Sequence, residues 1–287
     1  MRSRRLPLAL LAAVALSLAL PGCAPESSAH PGTPSTPPAS STPAPPDPDQ
    51  QRAQRAEQMV AAMSLRDRVA SVIMGAAPGT EAAALHDYVA NNHLGGFILM
   101  GGNIPSDAEA LRALTGRIAG DPAFPTLIAV DQEGGEVSRL PWDTNPGADQ
   151  LKFEPVKQTE KAFHARAELL VQSGINVNFG VVADVPSGPN SFIYGRALGT
   201  TPGASAKRVA AAVDGEQLVA EQHGSGQRHG MVASTLKHFP GHGAAEGDSH
   251  VGVPSTSISF AEWQQTHAKP FEAGIAAGAE LLMFGHL

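Results

Sequence analysis

The sequence predicts an α/β fold made of about six β/α units of a (β/α)8, or TIM-type, barrel. Six short apolar segments, which we expect to be strands, alternate with segments of helical pattern. This alternation is typical of a parallel sheet with right-handed crossovers. Polar residues follow several of the strands, which favours a barrel over the alternative, an open doubly wound sheet. No G-x-G-x-x-G motif follows the first strand, which weakens a dinucleotide-binding version of that alternative.

The elements of this fold can be placed in order along the chain. The expected strands cover residues 72–74, 96–100, 126–130, 175–183, 231–236 and 280–284. The expected helices cover residues 51–63, 65–70, 81–91, 108–119, 158–173, 204–222 and 260–277. Ser64 is a candidate cap for the second helix, because a serine side chain can accept a hydrogen bond from a free N–H of the first turn.

The first 50 residues have the composition of an export signal followed by a tether. Residues 1–22 combine M-R-S-R-R, an apolar run and L-P-G, which predicts a secretory signal peptide. L-P-G-C resembles a bacterial lipobox, so we expect Cys23 to be lipidated; an ordinary signal with an incidental cysteine is the alternative. Residues 23–50 are rich in Pro, Ser and Thr and predict a tether, followed by the barrel at 51–287. We therefore expect an exported protein that is lipid-anchored to the cell membrane or envelope.

Composition excludes some classes of partner. The formal net charge is -7 and one cysteine is present in 287 residues. A negative net charge argues against a nucleic-acid partner, which needs a basic surface. A single cysteine excludes an internal disulfide. A sizeable core is possible, since 42% of the residues are hydrophobic. We expect the protein to be a monomer.

The first stretch with chemical potential is V-D-Q-E-G-G-E-V-S-R-L at residues 130–140. Gly134 and Gly135 allow a sharp turn or a close backbone approach to a ligand. Asp131 and Arg139 could hold sugar hydroxyls by charge-assisted hydrogen bonds. The alternative is a strand end followed by a turn with a surface ion pair.

A second stretch, I-Y-G-R-A-L-G, places Arg196 on a glycine-flanked loop. The residues alone favour a solvated arginine there. A binding role for this arginine depends on the resemblance described below.

The densest stretch is L-K-H-F-P-G-H-G-A-A-E-G-D-S-H, which follows the fifth expected strand. Lys237 and His238 end that strand, so they should point from the rim of the barrel toward a ligand. Asp248 and His250 are two residues apart on a glycine-flanked loop. A carboxylate that binds one imidazole nitrogen fixes the tautomer, which suits proton transfer near neutral pH. The alternative is a loop with two solvated polar residues.

A metal site is a further alternative for the same stretch, with His238, His242, Asp248 and His250 as ligands. The H-x-x-x-H spacing would suit a helix, but Pro240 and Gly241 interrupt any helix there. The sequence therefore favours a site without a metal.

Two of these motifs together are similar to a known enzyme family. D-Q-E-G-G-x-V-x-R-L followed by K-H-F-P-G-H-G-x-x-x-x-D-S-H resembles the β-N-acetylglucosaminidases of glycoside hydrolase family 3, over about residues 58–287. The resemblance implies a (β/α)8-barrel retaining glycosidase that removes β-linked N-acetylglucosamine, commonly from cell-wall (peptidoglycan-derived) fragments. It implies no metal or organic cofactor, and a glycan or muropeptide that contains N-acetylglucosamine as the binding partner.

The resemblance also assigns roles to residues. It implies that His250 is the general acid/base and that Asp248 is its partner. The implied sugar-binding residues are Asp131, Arg139, Arg196, Lys237 and His238.

The chain departs from the family pattern at three places. Glu136 stands where the family usually has arginine, and Ala197 and Leu198 replace serine and phenylalanine after the retained Arg196. The family nucleophile is an aspartate after the seventh strand, and no aspartate here matches it. We therefore expect a C-terminally incomplete barrel that is unstable alone and cannot form a glycosyl-enzyme, because a retaining glycosidase needs both groups.

Three functional alternatives remain open. One is a family 3 β-glucosidase, although D-S-H disfavours it because other branches carry a glutamate acid/base elsewhere. Another is a non-catalytic sugar-binding lipoprotein or inactive fragment, which would suit retained sugar-binding residues without a nucleophile. The third is phosphorolysis, because a neutral histidine acid/base would not repel phosphate as a carboxylate would.

Overall fold

The computed structural model describes residues 47–120, 124, 126–222, 232–245, 252 and 254–286. Those residues form a curled, all-parallel sheet with the strands β1 (Met74–Gly75), β2 (Gly96–Leu99), β3 (Leu127–Val130), β4 (Val177–Val182), β5 (Ala233–Phe239) and β6 (Leu281–Phe284). Each strand pairs with the next one along the chain. A doubly wound sheet reverses its strand order, whereas a barrel keeps it, so the predicted partial TIM-type barrel is confirmed.

The strands alternate with helices, as the sequence pattern predicts. The helices are α1 (Pro48–Ala62), α2 (Leu65–Ala70), α3 (Ala82–Asn92), α4 (Ala108–Ile118), α5 (Ala148–Leu151), α6 (Val156–Gln172), α7 (Pro202–Gln222), α8 (Phe260–Gln265) and α9 (Ala268–Ala276). Ser64 caps α2 as predicted: its Oγ accepts from Asp67 N at 3.2 Å, while the Asp67 side chain accepts from Ser64 N. This reciprocal capping fixes the start of the helix.

The helix predicted over residues 260–277 is wrong, because α8 and α9 are separate. The backbone leaves helical geometry at Thr266, with φ -127° and ψ -83°. Pro270 lies in the first turn of α9, where its missing N–H leaves no helical hydrogen bond unmade. Pro270 would lie in the interior of the single predicted helix, whereas in the structure it lies in the first turn of the short helix α9.

Two buried apolar clusters hold the helices on the sheet. One joins β2 and β3 to α3 and α4 through residues such as Phe97, Ile128 and Leu111. The other joins β4 and β5 to α6, α7 and α9 through residues such as Phe163, Val213, Leu236 and Phe271. The middle strands are therefore buried on their helix-facing side, which fixes the positions of their carboxyl ends. The last strand is different, since Leu282 and Phe284 of β6 are exposed.

The predicted signal peptide (1–22), Cys23 and most of the tether (23–50) lie outside the described residues, so these boundaries stay predictions. Within the described ranges, no helix has both the length and the apolar character that crossing a membrane requires.

Candidate active site

A cavity of about 690 Å³ opens at the carboxyl ends of the strands. All five residues predicted to bind sugar line this one cavity: Asp131, Arg139, Arg196, Lys237 and His238. They come from three separate stretches of the chain, and the parallel sheet brings those stretches together because its carboxyl ends share one edge. Phe192, Met283 and Phe284 add apolar surface to the wall.

An ion-paired network forms the floor of the cavity. Lys237 Nζ lies 2.8 Å from Asp131 Oδ1 and 2.7 Å from Glu133 Oε1. Arg196 binds the same Glu133 with two donors, Nη2 to Oε1 at 2.6 Å and Nε to Oε2 at 2.9 Å. Planar bidentate pairs of this kind hold a guanidinium in one orientation. The network therefore presents fixed charges to any molecule in the cavity.

These contacts keep Glu133 ionised although it is buried. Burial raises the pKa of Glu133, but the hydrogen bonds and charges of Arg196 and Lys237 outweigh burial and hold that pKa below its usual range. Burial lowers the pKa of Arg196, and the contacts with Glu133 reverse the direction and raise it. The carboxylate and guanidinium thus stabilise one another's charged forms.

Asp184 organises the histidine side of the cavity. It follows β4, and its Oδ2 lies 2.7 Å from His238 Nδ1. Its Oδ1 accepts a 2.6 Å hydrogen bond from the backbone N–H of His242. A carboxylate at Nδ1 favours the tautomer protonated there, which leaves the Nε2 lone pair of His238 as an acceptor. Arg196 Nη2 lies 3.4 Å from that Nε2. The Lys237–His238 and Phe239–Pro240 peptide bonds of this strand end are cis.

The turn after β3 is held by one buried glutamine. Gln132 Oε1 accepts from the backbone N–H groups of Arg139 (2.7 Å) and Leu140 (3.0 Å). Its Nε2 donates to Ser138 Oγ and to Asp143 Oδ2. The turn needs glycine at Gly134, where φ is 84° and a Cβ would overlap the Arg166 guanidinium. This scaffold carries Arg139 back to the cavity.

Arg139 keeps unused donors at the cavity wall. Its Nη2 is 4.0 Å from Asp131 Oδ2, and its buried Nε has no hydrogen-bond partner among the described residues. Buried donors are normally satisfied, so an unpaired one beside a cavity suits a ligand that brings an acceptor. Arg139 therefore keeps a donor for a hydroxyl or carbonyl oxygen of a ligand, and both ring nitrogens of the neighbouring His242 also have no hydrogen-bond partner among the described residues.

The predicted acid/base pair, Asp248 and His250, lies outside the described residues, so its roles stay predictions. The alternative metal site also stays a prediction, because two of its four ligands are these same residues. In the described ranges, no group of three or more His, Cys, Asp or Glu side chains could hold a metal ion.

Sequence reasoning missed two residues that the site depends on, Glu133 and Asp184. Glu133 is part of the D-Q-E-G-G motif, and its place between Asp131 and the turn was the available signal. Asp184 is one of the polar residues that follow the expected strands, and the sequence alone assigns it no role. Neither role is visible in the sequence, because the partners of Glu133 and Asp184 are distant along the chain.

Comparison with known proteins points in one direction. Residues 58–287 match the model of the glycosyl hydrolase family 3 N-terminal domain. β-Hexosaminidase LpqI from Mycobacterium tuberculosis is 33% identical over 205 residues, which cover 68% of this chain and 48% of that protein. The chain therefore spans about half the length of this curated relative.

Solved structures agree. A family 3 β-N-acetylglucosaminidase from Paenibacillus sp. has a TM-score of 0.69 and 29% identity, over 78% of this chain and 42% of that chain. NagZ from Neisseria gonorrhoeae, in complex with N-trifluoroacetyl-D-glucosamine, has a TM-score of 0.62 and 28% identity, over 75% of this chain and 63% of that chain.

Proposed function

We propose, since the chain belongs to glycosyl hydrolase family 3, that it binds terminal β-linked N-acetylglucosamine as part of a retaining exo-glycosidase. The observation that carries the proposal is the convergence of Asp131, Arg139, Arg196, Lys237 and His238 on one cavity. The relatives named β-hexosaminidase and β-N-acetylglucosaminidase support this choice of sugar.

The cavity suits a sugar ring physically. A pyranose carries hydroxyl groups around its edge, and each can donate one hydrogen bond and accept others. Asp131 offers acceptors, whereas Arg139 and Lys237 offer charged donors, so neighbouring hydroxyls can be held in pairs. The side chain of Phe192 offers apolar surface to the C–H face of the ring.

We assign the proton transfers to His250, oriented by Asp248. In a double displacement the acid protonates the leaving oxygen while a carboxylate attacks the anomeric carbon, and the same residue then deprotonates the acceptor water. Phosphate as the acceptor remains the phosphorolytic alternative, and the appearance of sugar 1-phosphate distinguishes it from hydrolysis.

The cellular setting is a proposal from the sequence. We place the protein at the cell envelope, anchored through lipid on Cys23, as a monomer that acts on peptidoglycan-derived fragments. A Cys23→Ser variant should shift from the membrane fraction to the soluble exported fraction. Unchanged partitioning would contradict lipidation.

Binding and turnover by the full chain test the sugar assignment. Calorimetry should show that N-acetylglucosamine binds more tightly than glucose, and glucose binding as well would favour the β-glucosidase alternative. Lys237→Met should weaken binding at least about tenfold, because it removes a buried charged donor. Lys157→Met, at an exposed lysine of α6, is the matched control and should change nothing.

The outcomes separate the alternatives. No binding of N-acetylglucosamine by a folded chain would overturn the assignment. Binding without release of an aryl N-acetylglucosaminide would support the non-catalytic sugar-binding alternative. Circular dichroism of Lys237→Met distinguishes a binding defect from unfolding.

A further inference from the structure

Glu136 stands at the tip of the turn after β3, where it lines the same cavity as the sugar-binding residues. Unlike Glu133 it is exposed, so it belongs to the rim and not to the floor. Its carboxylate reaches across to the next loop: its Oε2 lies 2.8 Å from the point that a Cβ on Gly195 would occupy. Glu136 therefore faces the mouth of the cavity beside Arg196.

The carboxylate of Glu136 is not engaged by a cation. Asp131 and Glu133 are both bound to Lys237, and Glu133 also holds Arg196. Glu136 has no ion pair within 4.0 Å among the described residues, although its charge acts on Arg196. A carboxylate that is neither buried nor paired remains free to act on a ligand at the rim.

The balance of charge around the cavity depends on this residue. Arg139, Arg196 and Lys237 supply three positive charges at the cavity, while Asp131, Glu133 and the buried Asp184 supply three negative ones. These six charges cancel, so Glu136 adds a negative charge at the mouth that they do not offset. Since a cavity with low-dielectric walls concentrates the field of its lining charges, the sign at the mouth affects which ligands enter and stay.

We propose that Glu136 is a specificity-determining residue that selects against a free carboxylate on the group attached to the bound sugar. This inference rests on the proposed function, because it takes the floor of the cavity as the N-acetylglucosamine site. The deep position of Lys237 and the exposed position of Glu136 put the rim next to whatever the sugar is linked to. The favoured substrates then carry a neutral or cationic leaving sugar.

An acid at this position repels anionic groups at the rim of the cavity and attracts cationic ones. In cell-wall fragments the relevant anion is the lactyl carboxylate of muramic acid, which is free in a bare disaccharide and amide-bonded when a peptide is attached. Glu136 would therefore disfavour the peptide-free disaccharide in particular.

A series of three disaccharides that differ in charge tests the proposal with the full chain. Each has a non-reducing N-acetylglucosamine, β-linked to N-acetylglucosamine (neutral), glucosamine (cationic) or N-acetylmuramic acid (anionic). Calorimetry should give the tightest binding for the cationic and the weakest for the anionic ligand. Each step should be about two- to fivefold, because Glu136 is exposed and screened by solvent.

Substitutions at Glu136 should then change the order of the three affinities, because they remove or reverse the charge at the rim. Glu136→Gln should reduce the differences in affinity among the three disaccharides, and Glu136→Arg should reverse their order. Added salt should also reduce the differences in the natural chain, because salt screens rim charges. Glu109→Gln, an exposed acid of α4 away from the cavity, is the matched control and should preserve the order.

Two results would overturn the inference, and they differ in whether the proposed sugar-binding function survives. Equal affinities for the three disaccharides, or an order that survives Glu136→Gln, would sink the role of Glu136 and leave the sugar assignment standing. Failure of all three to bind a folded chain would remove the proposed function as well.

Discussion

Two buried glutamates show how differently the same side chain behaves in two regions of this protein. Glu133, in the cavity floor, contacts Arg196 and Lys237, and its pKa lies below the usual range. Glu216, on α7, accepts a 2.6 Å hydrogen bond from Asn178, and its other oxygen has no hydrogen-bond partner in the described part of the chain. Burial raises the pKa of Glu216 to about 7. Burial costs both groups, so the charge of the partner decides the ionisation.

The difference separates a binding region from a packing region. In the cavity, buried charges are held in place by opposite charges and remain available to a polar ligand. Between α7 and the sheet, no cation of the described residues pairs with Glu216 within 4.0 Å, so its carboxyl is easily kept neutral. Three substitutions test this contrast: Glu133→Gln, Glu216→Gln and Asp184→Asn.

Glu133→Gln should have the largest effect. Removing one partner of a buried ion pair leaves Arg196 without its carboxylate, which costs about 3 kcal/mol or more. Urea denaturation at neutral pH should show this loss, and binding of N-acetylglucosamine should fall with it. Glu109→Gln again serves as the exposed control. A Glu133→Gln chain as stable as the natural one would mean that the network contributes nothing to folding.

Glu216→Gln should act in the opposite direction at high pH. The folded pKa of Glu216 is about 7 against an ordinary value of 4.5, so the folded state binds more protons between these values. This contribution therefore falls as pH rises from about 4.5 to about 7, by up to about 3 kcal/mol. Glutamine keeps the acceptor for Asn178 and removes the titration.

The measurement for Glu216 is a difference between two chains. Denaturation midpoints of the natural and Glu216→Gln chains should differ little near pH 4.5, and the variant should be the more stable one above pH 7. The subtraction removes the other titrating groups. A variant less stable at both pH values would show that Glu216 is held as an ion, like Glu133.

Asp184→Asn should have the smallest effect, because Asp184 is intermediate between the two glutamates. It is buried, yet its partners are an imidazole and a backbone N–H. Asparagine has only one acceptor oxygen for these two donors, so we expect a loss of about 1.5 kcal/mol. Sugar affinity should fall about threefold or more as His238 loses its orientation.

A spectroscopic readout separates positioning from general destabilisation at Asp184. Nitrogen-15 NMR should find the His238 proton on Nδ1 in the natural chain and a mixture of tautomers in the variant. An unchanged tautomer together with unchanged affinity would remove Asp184 from its positioning role.

Much of the fold was predictable because its signals are local. Apolar segments such as 126–130 read as buried strands, and the polar residues at their carboxyl ends predicted a barrel rim. Lys237 and His238 were predicted to end a strand, and they are the fifth and sixth of the seven residues of β5. The break between α8 and α9 was not predictable from apolar spacing, since a tolerated first-turn proline and an interior one have the same local sequence.

The cavity network was less predictable because its contacts join distant residues. Glu133 meets Arg196 from 63 positions away, and Asp131 meets Lys237 from 106 positions away. In the sequence, each of these residues taken alone is best interpreted as a solvated charge, and this was the interpretation that the local sequence favoured for Arg196. The burial of Glu216 was not predictable either, because a single acid is common in an amphipathic helix and the sequence does not show which side of the helix faces the sheet.

The strand pattern of the sequence is enough to predict the class of fold, and the resemblance of its motifs is enough to predict the family and the five candidate sugar-binding residues. The tertiary structure adds which charges neutralise one another, how Glu133 and Asp184 hold their neighbours in place, and that no cation of the described residues pairs with Glu136 at the rim. The physical reason is that ionisation and hydrogen bonding depend on distances between residues far apart in sequence, which the packing of the parallel strands sets.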